Sequence, residues 1–151
     1  MSLEKFQATD GSLIPVGNYI SIIYRAYSAY LNHKLENLNL NQSQLHCLFE
    51  IKYNSEINQE RIASHCNMNK GAVARSIRKL EDDGLIIRKI DNNNRRQNKI
   101  SLTEKGEKCI EESMKIIDDW ENEVLKKNDI DEAALKSMLK DVAVSSITMN
   151  R

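Results

Sequence analysis

The residues of this sequence that could perform chemistry are concentrated in one short basic segment, residues 69–79. Lys70, Arg75 and Lys79 supply positive charge, and Gly71 leaves the beginning of the segment without a bulky side chain. Lysine and arginine neutralise phosphates, and arginine can also bind guanine through two hydrogen bonds. The segment is therefore suited to double-stranded DNA, provided that a helix presents it to the major groove.

The charge of the whole chain is balanced but unevenly distributed. The formal net charge is zero, yet residues 61–99 contain ten lysines and arginines against four acidic residues, a net charge of +6. Because these cations coincide with small residues, a DNA-binding surface is favoured over a merely solvated charged face.

The spacing of apolar residues predicts that the basic segment is a helix. Asn69 is suited to cap its beginning, Val73, Ile77 and Leu80 recur at i, i+4 and i+7, and Gly84 marks its end. Ala72, Arg75, Ser76 and Lys79 are expected on the opposite, exposed side. The expected DNA contacts of the helix are Asn69, Lys70, Gly71, Ala72, Arg75, Ser76 and Lys79, with base choice resting on Asn69, Gly71, Ala72, Arg75 and Ser76.

A shorter helix is predicted just before this one. Asn58 can cap it, Ile62 and Ala63 face inward, and residues 65–67 interrupt it with a turn. Two short helices joined by a tight turn form a helix-turn-helix, whose second helix would enter the major groove.

A basic β-hairpin is predicted after the second helix. Residues 85–90 and 99–102 are typical of two strands, and the polar loop between them contains Arg95 and Arg96. Arginines at a hairpin tip can bind phosphates or the minor groove. A helix-turn-helix followed by such a hairpin is a winged helix, here residues 41–102.

Three motifs together resemble the MarR family of transcriptional regulators. They are NKGAVARSIRKLEDDGLIIR, the loop in which Asp91 is followed by Arg95 and Arg96, and KISLTEKGE directly after the hairpin. The resemblance covers roughly residues 40–112. It implies a mainly α fold with a small β-hairpin wing, in which the winged helix-turn-helix is flanked by long dimerisation helices at 1–40 and 103–151. It also implies a ligand-responsive regulator that is commonly a repressor.

The flanking helices show apolar patterns of their own. After Pro15, apolar residues recur at helical spacing as Ile20, Ile23, Tyr24, Tyr27, Leu31, Leu35 and Leu38. Thr103 is expected to cap a helix to about residue 127, and a last helix should point Ala134, Leu135, Met138, Leu139 and Val142 inward. So small a domain cannot bury all these faces, so they are expected to pair with a second copy in a homodimer.

A small aromatic or phenolic acid is the expected effector. Arg25 is the only charged residue between Gly17 and His33, and together with Tyr24 it could bind an anion. The alternatives are that Arg25 forms a salt bridge between subunits or is a surface cation whose alkyl chain lies along apolar side chains. By the resemblance Arg88 is also an effector contact, and the alternative is that it pairs with the acidic residues 81–83.

Metal and redox sites are not expected. The resemblance to zinc-sensing relatives stops at His46, because Leu45 stands where an acidic ligand belongs. The three cysteines are odd in number and lack CxxC spacing, and none precedes Cys47, whereas peroxide-sensing relatives carry theirs near the start of the first helix. We therefore expect reduced cysteines and no cofactor.

Other function classes have little support in the sequence. It contains no Ser/His/Asp set, paired-carboxylate motif, glycine-rich phosphate loop or HExxH, so an enzyme is not expected. Without a membrane span or signal sequence, a cytoplasmic location is expected. We predict a homodimeric, sequence-specific transcriptional regulator, a repressor released by its effector from a pseudo-palindromic operator. The alternative is a winged-helix protein-interaction module without its own operator.

Overall fold

The computed structural model describes residues 3–54, 57–66, 68–90 and 98–149. Its elements are α1 (Leu3–Ala8), α2 (Val16–Leu35), α3 (Gln42–Tyr53), α4 (Gln59–His65), α5 (Lys70–Asp82), β1 (Ile86–Ile90), β2 (Asn98–Leu102), α6 (Glu104–Glu121) and α7 (Glu132–Met149). The chain divides into two compact units, residues 1–110 and 111–151. A mainly helical chain with one small hairpin confirms the predicted fold class, whereas the functional division at residues 40 and 102 stays a prediction.

The core of the first unit is formed where α3, α4 and α5 pack against each other and against the hairpin. Its fully buried side chains include Leu45, Leu48, Ile62, Val73, Ile77, Leu80, Ile86 and Ile100. Burying several large aliphatic side chains supplies the main free energy that holds these short helices together. Helices as short as α4 are therefore stabilised by this packing rather than by their own length.

Asparagine side chains begin the three helices of this core. Asn41 accepts a hydrogen bond from the Gln44 amide at 2.9 Å, and the Gln44 side chain accepts one from the Asn41 amide, forming a capping box. Asn58 accepts from the Arg61 amide at 2.9 Å. The predicted cap of α4 is thus confirmed.

Helix α2 starts directly after Pro15, as expected, but it packs on the core only near its end. Leu31 and Leu35 are buried, whereas Ile20, Ile23 and Tyr24 are 44–60% exposed. The apolar pattern therefore continues well beyond the part of the helix that its own chain covers.

The hairpin is antiparallel, with Ile86 opposite Leu102 and Ile90 opposite Asn98. The main chain of Ile57 adds an isolated bridge to Ile100. Each strand differs by one residue at one end from the predicted range. Leu85 lies outside β1 because its amide closes the end of α5 instead, donating to the Leu80 carbonyl at 2.9 Å.

The end of α5 and the beginning of α6 are joined by hydrogen bonds. Gly84 ends α5 with a φ of +72°, a conformation that glycine adopts readily. Thr103 donates its hydroxyl hydrogen to the Gly84 carbonyl at 2.7 Å and accepts from the Gly106 amide at 3.0 Å, which confirms it as the cap of α6. Lys105 binds the Asp83 carbonyl at 2.7 Å. The hairpin thus leads straight back to the point where α5 stops.

The last unit contains most of α6, a π-helical turn at Asn122–Lys126 and α7. Asp129 has a φ of +51°, and Asp131 accepts from the Ala134 amide at 3.0 Å, so the predicted break between the helices is confirmed. Among the described helices, none combines the length and the apolar character needed to cross a membrane.

The apolar residues of α7 do not point inward within the single chain, so their burial against a second copy stays a prediction. Ala134 is exposed and Leu135 is only half-buried. Met138, Leu139 and Val142 are 59%, 50% and 41% exposed. Helical spacing correctly indicates that these side chains share a face, but it does not say which chain covers that face.

Candidate nucleic-acid interface

Helix α5 is fixed at its beginning by Asn69, whose side chain accepts a hydrogen bond from the Ala72 amide at 2.7 Å. Val73, Ile77 and Leu80 are fully buried beneath it. Both features confirm the predicted beginning and the predicted core-facing side. The opposite side of the helix is consequently held towards solvent.

The exposed side of α5 is centred on Gly71, Arg75, Arg78 and Asp82, all of which are exposed. We refer to these four residues as the outer face. They follow one another at i, i+4, i+7 and i+11, the spacing of a single side of a helix. Of the predicted exposed stripe, only Arg75 lies on the outer face, while Ala72 and Lys79 are half-buried at its edge.

The prediction that Ser76 lies on the exposed side is wrong. The residue is only 7% exposed, and its side chain hydrogen-bonds to the buried thiol of Cys47. Ser76 completes an i, i+3, i+4, i+7 set with Val73, Ile77 and Leu80, so the helix turns it towards the core. A buried hydroxyl cannot contact a base, and Ser76 is not retained as a candidate.

Arg78 is a candidate that the sequence interpretation missed. It is exposed one turn after Arg75. The signal was available, because Gly71, Arg75 and Arg78 are spaced as one helical side. The predicted exposed stripe includes Ser76, so it is centred on the wrong side of the helix and leaves out Arg78.

The Arg75 side chain reaches back towards the beginning of its helix. A Cβ placed on Gly71 would lie 3.6 Å from Nη1 of Arg75 and 3.4 Å from the Asn69 side-chain oxygen. Within the described ranges, no hydrogen bond or ion pair engages the Arg75 side chain. A methyl group at residue 71 would touch this guanidinium only at van der Waals distance, and the guanidinium is available to an external acceptor.

The two lysines of the predicted site are each paired with an acid. Lys70 Nζ lies 2.6 Å from Glu60 Oε1, and Lys79 Nζ lies 2.9 Å from Asp83 Oδ1. Asp83 also accepts from the Asn39 side chain at 3.3 Å. Before any ligand binds, these lysine charges are compensated while that of Arg75 is not.

The predicted wing contacts cannot be placed by the structure. Arg95 and Arg96 belong to residues 91–97, which lie outside the described residues. Their role in DNA binding stays a prediction, supported locally only by the hairpin that leads to them.

The three predicted effector residues lie on two elements and have different surroundings. Tyr24 is 60% exposed on α2, and Arg25 beside it is also exposed. Arg88 on β1 places its Nε 2.8 Å from Glu81 Oε2, without a well-directed hydrogen bond from that nitrogen. The pairing of Arg88 with the acidic end of α5 is thus confirmed, whereas its role as a ligand contact stays a prediction.

His46 and His65 are exposed, whereas Cys47 is buried and Cys66 is half-buried. His65 Nδ1 lies 2.8 Å from Glu50 Oε2, and partial desolvation of its ring lowers the pKa of His46. Burial also raises the pKa of Cys47 to about 12 and raises that of Cys66, so both thiols are poor nucleophiles. In the part of the chain that the structure describes, no three His, Cys, Asp or Glu residues are grouped so that they could hold a metal ion.

Comparison with known proteins decides the family. The model of the MarR family matches residues 40–97, the stretch from the capped α3 through the hairpin loop. A crystal structure of MarR is 29% identical, aligns over 95% of this chain and 98% of that chain, and has a TM-score of 0.82. Residues 40–97 therefore form a MarR-family domain.

Two further structures extend the similarity to this MarR-family fold. A MarR transcriptional regulator from Methanosarcina mazei Go1 is 28% identical over 88% of this chain and 94% of that chain, with a TM-score of 0.76. The S. aureus MepR–DNA complex is 22% identical over 89% of this chain and 98% of that chain, with a TM-score of 0.75. Because these alignments extend far beyond residues 40–97, the MarR similarity includes the long helices as well as the winged helix.

Proposed function

We propose that this protein is a MarR-family, DNA-binding transcriptional regulator that binds as a homodimer to a pseudo-palindromic operator. The observation that carries the proposal is the outer face of α5, which is exposed and holds two arginines. A helix that directs such a face to solvent is suited to read base edges in the major groove.

The geometry of the leading end of α5 supports close approach to DNA. Gly71 adds no side chain there, and Arg75 extends towards the same end. Amides at a helix beginning attract phosphates, while an arginine beside them can form paired hydrogen bonds to guanine. Among structural relatives, MepR of S. aureus has been solved in complex with DNA, and we infer a similar use of this face here.

Exposed apolar surface on the long helices supports the homodimer. Ile20 and Ile23 on α2, and Met138 and Leu139 on α7, are each 44–59% exposed. Apolar side chains repeated along two helices are typical of an interface, since burying them against a second copy removes them from water. A two-fold axis would then present two copies of α5 to successive major grooves, about 34 Å apart.

Selection of bound duplexes from a random DNA pool tests the proposal with the full chain. We expect inverted half-sites whose centres are about 10 base pairs apart, because two recognition helices on one side of DNA must match its helical repeat. Fluorescence anisotropy with the selected duplex should show affinity that falls steeply as salt rises. No enrichment and no salt-dependent binding would instead favour a winged-helix protein-interaction module.

We further propose that the regulator is a repressor and that a small aromatic acid lowers its operator affinity. Arg25 supports an effector site for such an acid, since it is exposed and unpaired within the described residues. Tyr24 beside it offers a ring for stacking. Arg88 could join such a site only if its ion pair with Glu81 opened.

Titration of salicylate against a labelled operator tests the effector site. We expect salicylate to release the wild-type protein and to act on Arg25→Ala only at concentrations at least about tenfold higher, because the variant loses a charge-assisted hydrogen bond. Arg25→Lys is the matched control that keeps the charge. An unchanged response of Arg25→Ala would remove Arg25 from the site.

A further inference from the structure

One ion pair at the leading end of α5 connects it to the preceding helix. Lys70, the first residue of α5, places Nζ 2.6 Å from Oε1 of Glu60 in the first turn of α4. The two side chains are 77% and 64% exposed. Lys70 lowers the pKa of the Glu60 carboxyl, so this group is ionised at neutral pH.

The pair changes the charge that α5 presents to DNA. Phosphates attract each uncompensated cation and repel each carboxylate. If Lys70 moves to a phosphate, it leaves Glu60 as a bare anion beside the duplex. If the pair stays closed, Lys70 brings no net charge. In both cases the two residues together contribute about zero to phosphate neutralisation.

Fold stability does not account for the pair. Ion pairs between side chains this exposed contribute little to folding, because water screens both charges. The helix dipole opposes Lys70 in the first turn of α5 but favours Glu60 in the first turn of α4, so the two effects offset each other. The main consequence of Glu60 is therefore electrostatic and lies at the leading end of α5, which is proposed to approach DNA.

We propose that Glu60 restrains the affinity of the protein for DNA by neutralising Lys70, an inference that rests on the proposed DNA-binding function. The restraint acts on duplexes of any sequence, because phosphate attraction carries no sequence information. Base contacts from Arg75 and Arg78 then make a larger share of the total binding free energy.

A charge cycle at the two positions tests this inference on the full-length protein. The variants are Glu60→Gln, Lys70→Met and the double variant, measured by anisotropy over a range of salt concentrations. Glu60→Gln should steepen the plot of log affinity against log salt by about two units, one for each subunit of the dimer, and tighten binding roughly tenfold per subunit near 0.1 M salt. Lys70→Met should do the opposite, and the double variant should return close to wild type.

Glu104→Gln is the matched control. Glu104 also lies in the first turn of a helix and forms an exposed ion pair, 2.8 Å from Lys108. Because the start of α6 is bound to the residues that follow α5, this pair lies near the other end of a helix roughly 20 Å long. Its removal should leave the salt dependence unchanged.

The outcomes distinguish failure of the proposed Glu60 effect from failure of the proposed DNA-binding function. If wild type binds duplex DNA but Glu60→Gln behaves like Glu104→Gln, the restraint is wrong and the DNA-binding function stands. If Glu60→Gln alters preference at one base pair instead of binding all duplexes more tightly, Glu60 is a base contact and the restraint is again wrong. If wild type binds no duplex at low salt, both proposals fail.

Discussion

Replacing Arg75 by alanine should lower operator affinity by about 1–3 kcal/mol for each half-site, or roughly 5- to 150-fold per half-site, and should relax base preference in both. Arg75 lies at the centre of the outer face, and within the described residues no acidic side chain forms an ion pair with its guanidinium. Its loss therefore removes an uncompensated charge and a pair of hydrogen-bond donors. Anisotropy with the selected duplex and with single-base variants measures both effects.

Two further variants identify which property of Arg75 matters. Arg75→Lys should keep the salt dependence but lose base preference, because an ammonium cannot form the paired hydrogen bonds of a guanidinium. Lys108→Ala is the control for losing a cation elsewhere, since Lys108 is exposed on α6. If Arg75→Ala bound the operator as tightly as Lys108→Ala, the outer face of α5 would not be the DNA-binding surface.

Local features of this fold could be predicted from the sequence because their causes are local. Asn41, Asn58 and Asn69 begin helices because a short polar side chain directly before an apolar stripe can accept from an amide two or three residues later. Gly84 was predictable as a helix end for a similar reason. Each of these features depends on a few neighbouring residues and on no distant contact.

The error at Ser76 has a different physical origin. A hydroxyl is polar, yet it is small enough to be buried when a partner such as the Cys47 thiol lies beside it. The position on the helix therefore outweighed the polarity of the residue. Had spacing alone been used, Arg78 would have replaced Ser76 in the predicted interface.

Contacts between separate elements could not be predicted from spacing. The pairing of Lys70 with Glu60 depends on how α4 and α5 cross, and the interpretation of Lys70 as an uncompensated phosphate contact missed it. The exposed face of α7 is a related case. Periodicity indicated an apolar face, but the covering partner depends on contacts that one sequence does not encode locally.

The joint between α5 and α6 makes Gly106 the position where one added methyl group should cost most. A Cβ at this position would overlap the Leu85 carbonyl oxygen and would lie 3.1 Å from the Leu85 carbonyl carbon and 3.2 Å from Cδ2 of Leu102. The obstacle is backbone, which cannot rotate aside like a flexible side chain.

Gly106→Ala should therefore lower the free energy of unfolding by about 1–3 kcal/mol or more, the cost typical of overpacking, despite the gain of up to about 1 kcal/mol expected for alanine within a helix. Gly17→Ala is the matched control, since no atom lies within 4 Å of its added Cβ, and it should stabilise the protein slightly. Urea denaturation of both variants measures the difference.

Because the Gly106 joint also holds the end of α5, any folded Gly106→Ala protein should bind the operator more weakly than Gly17→Ala does. Equal stability and equal operator affinity of the two variants would show that α5 does not depend on this joint for its position.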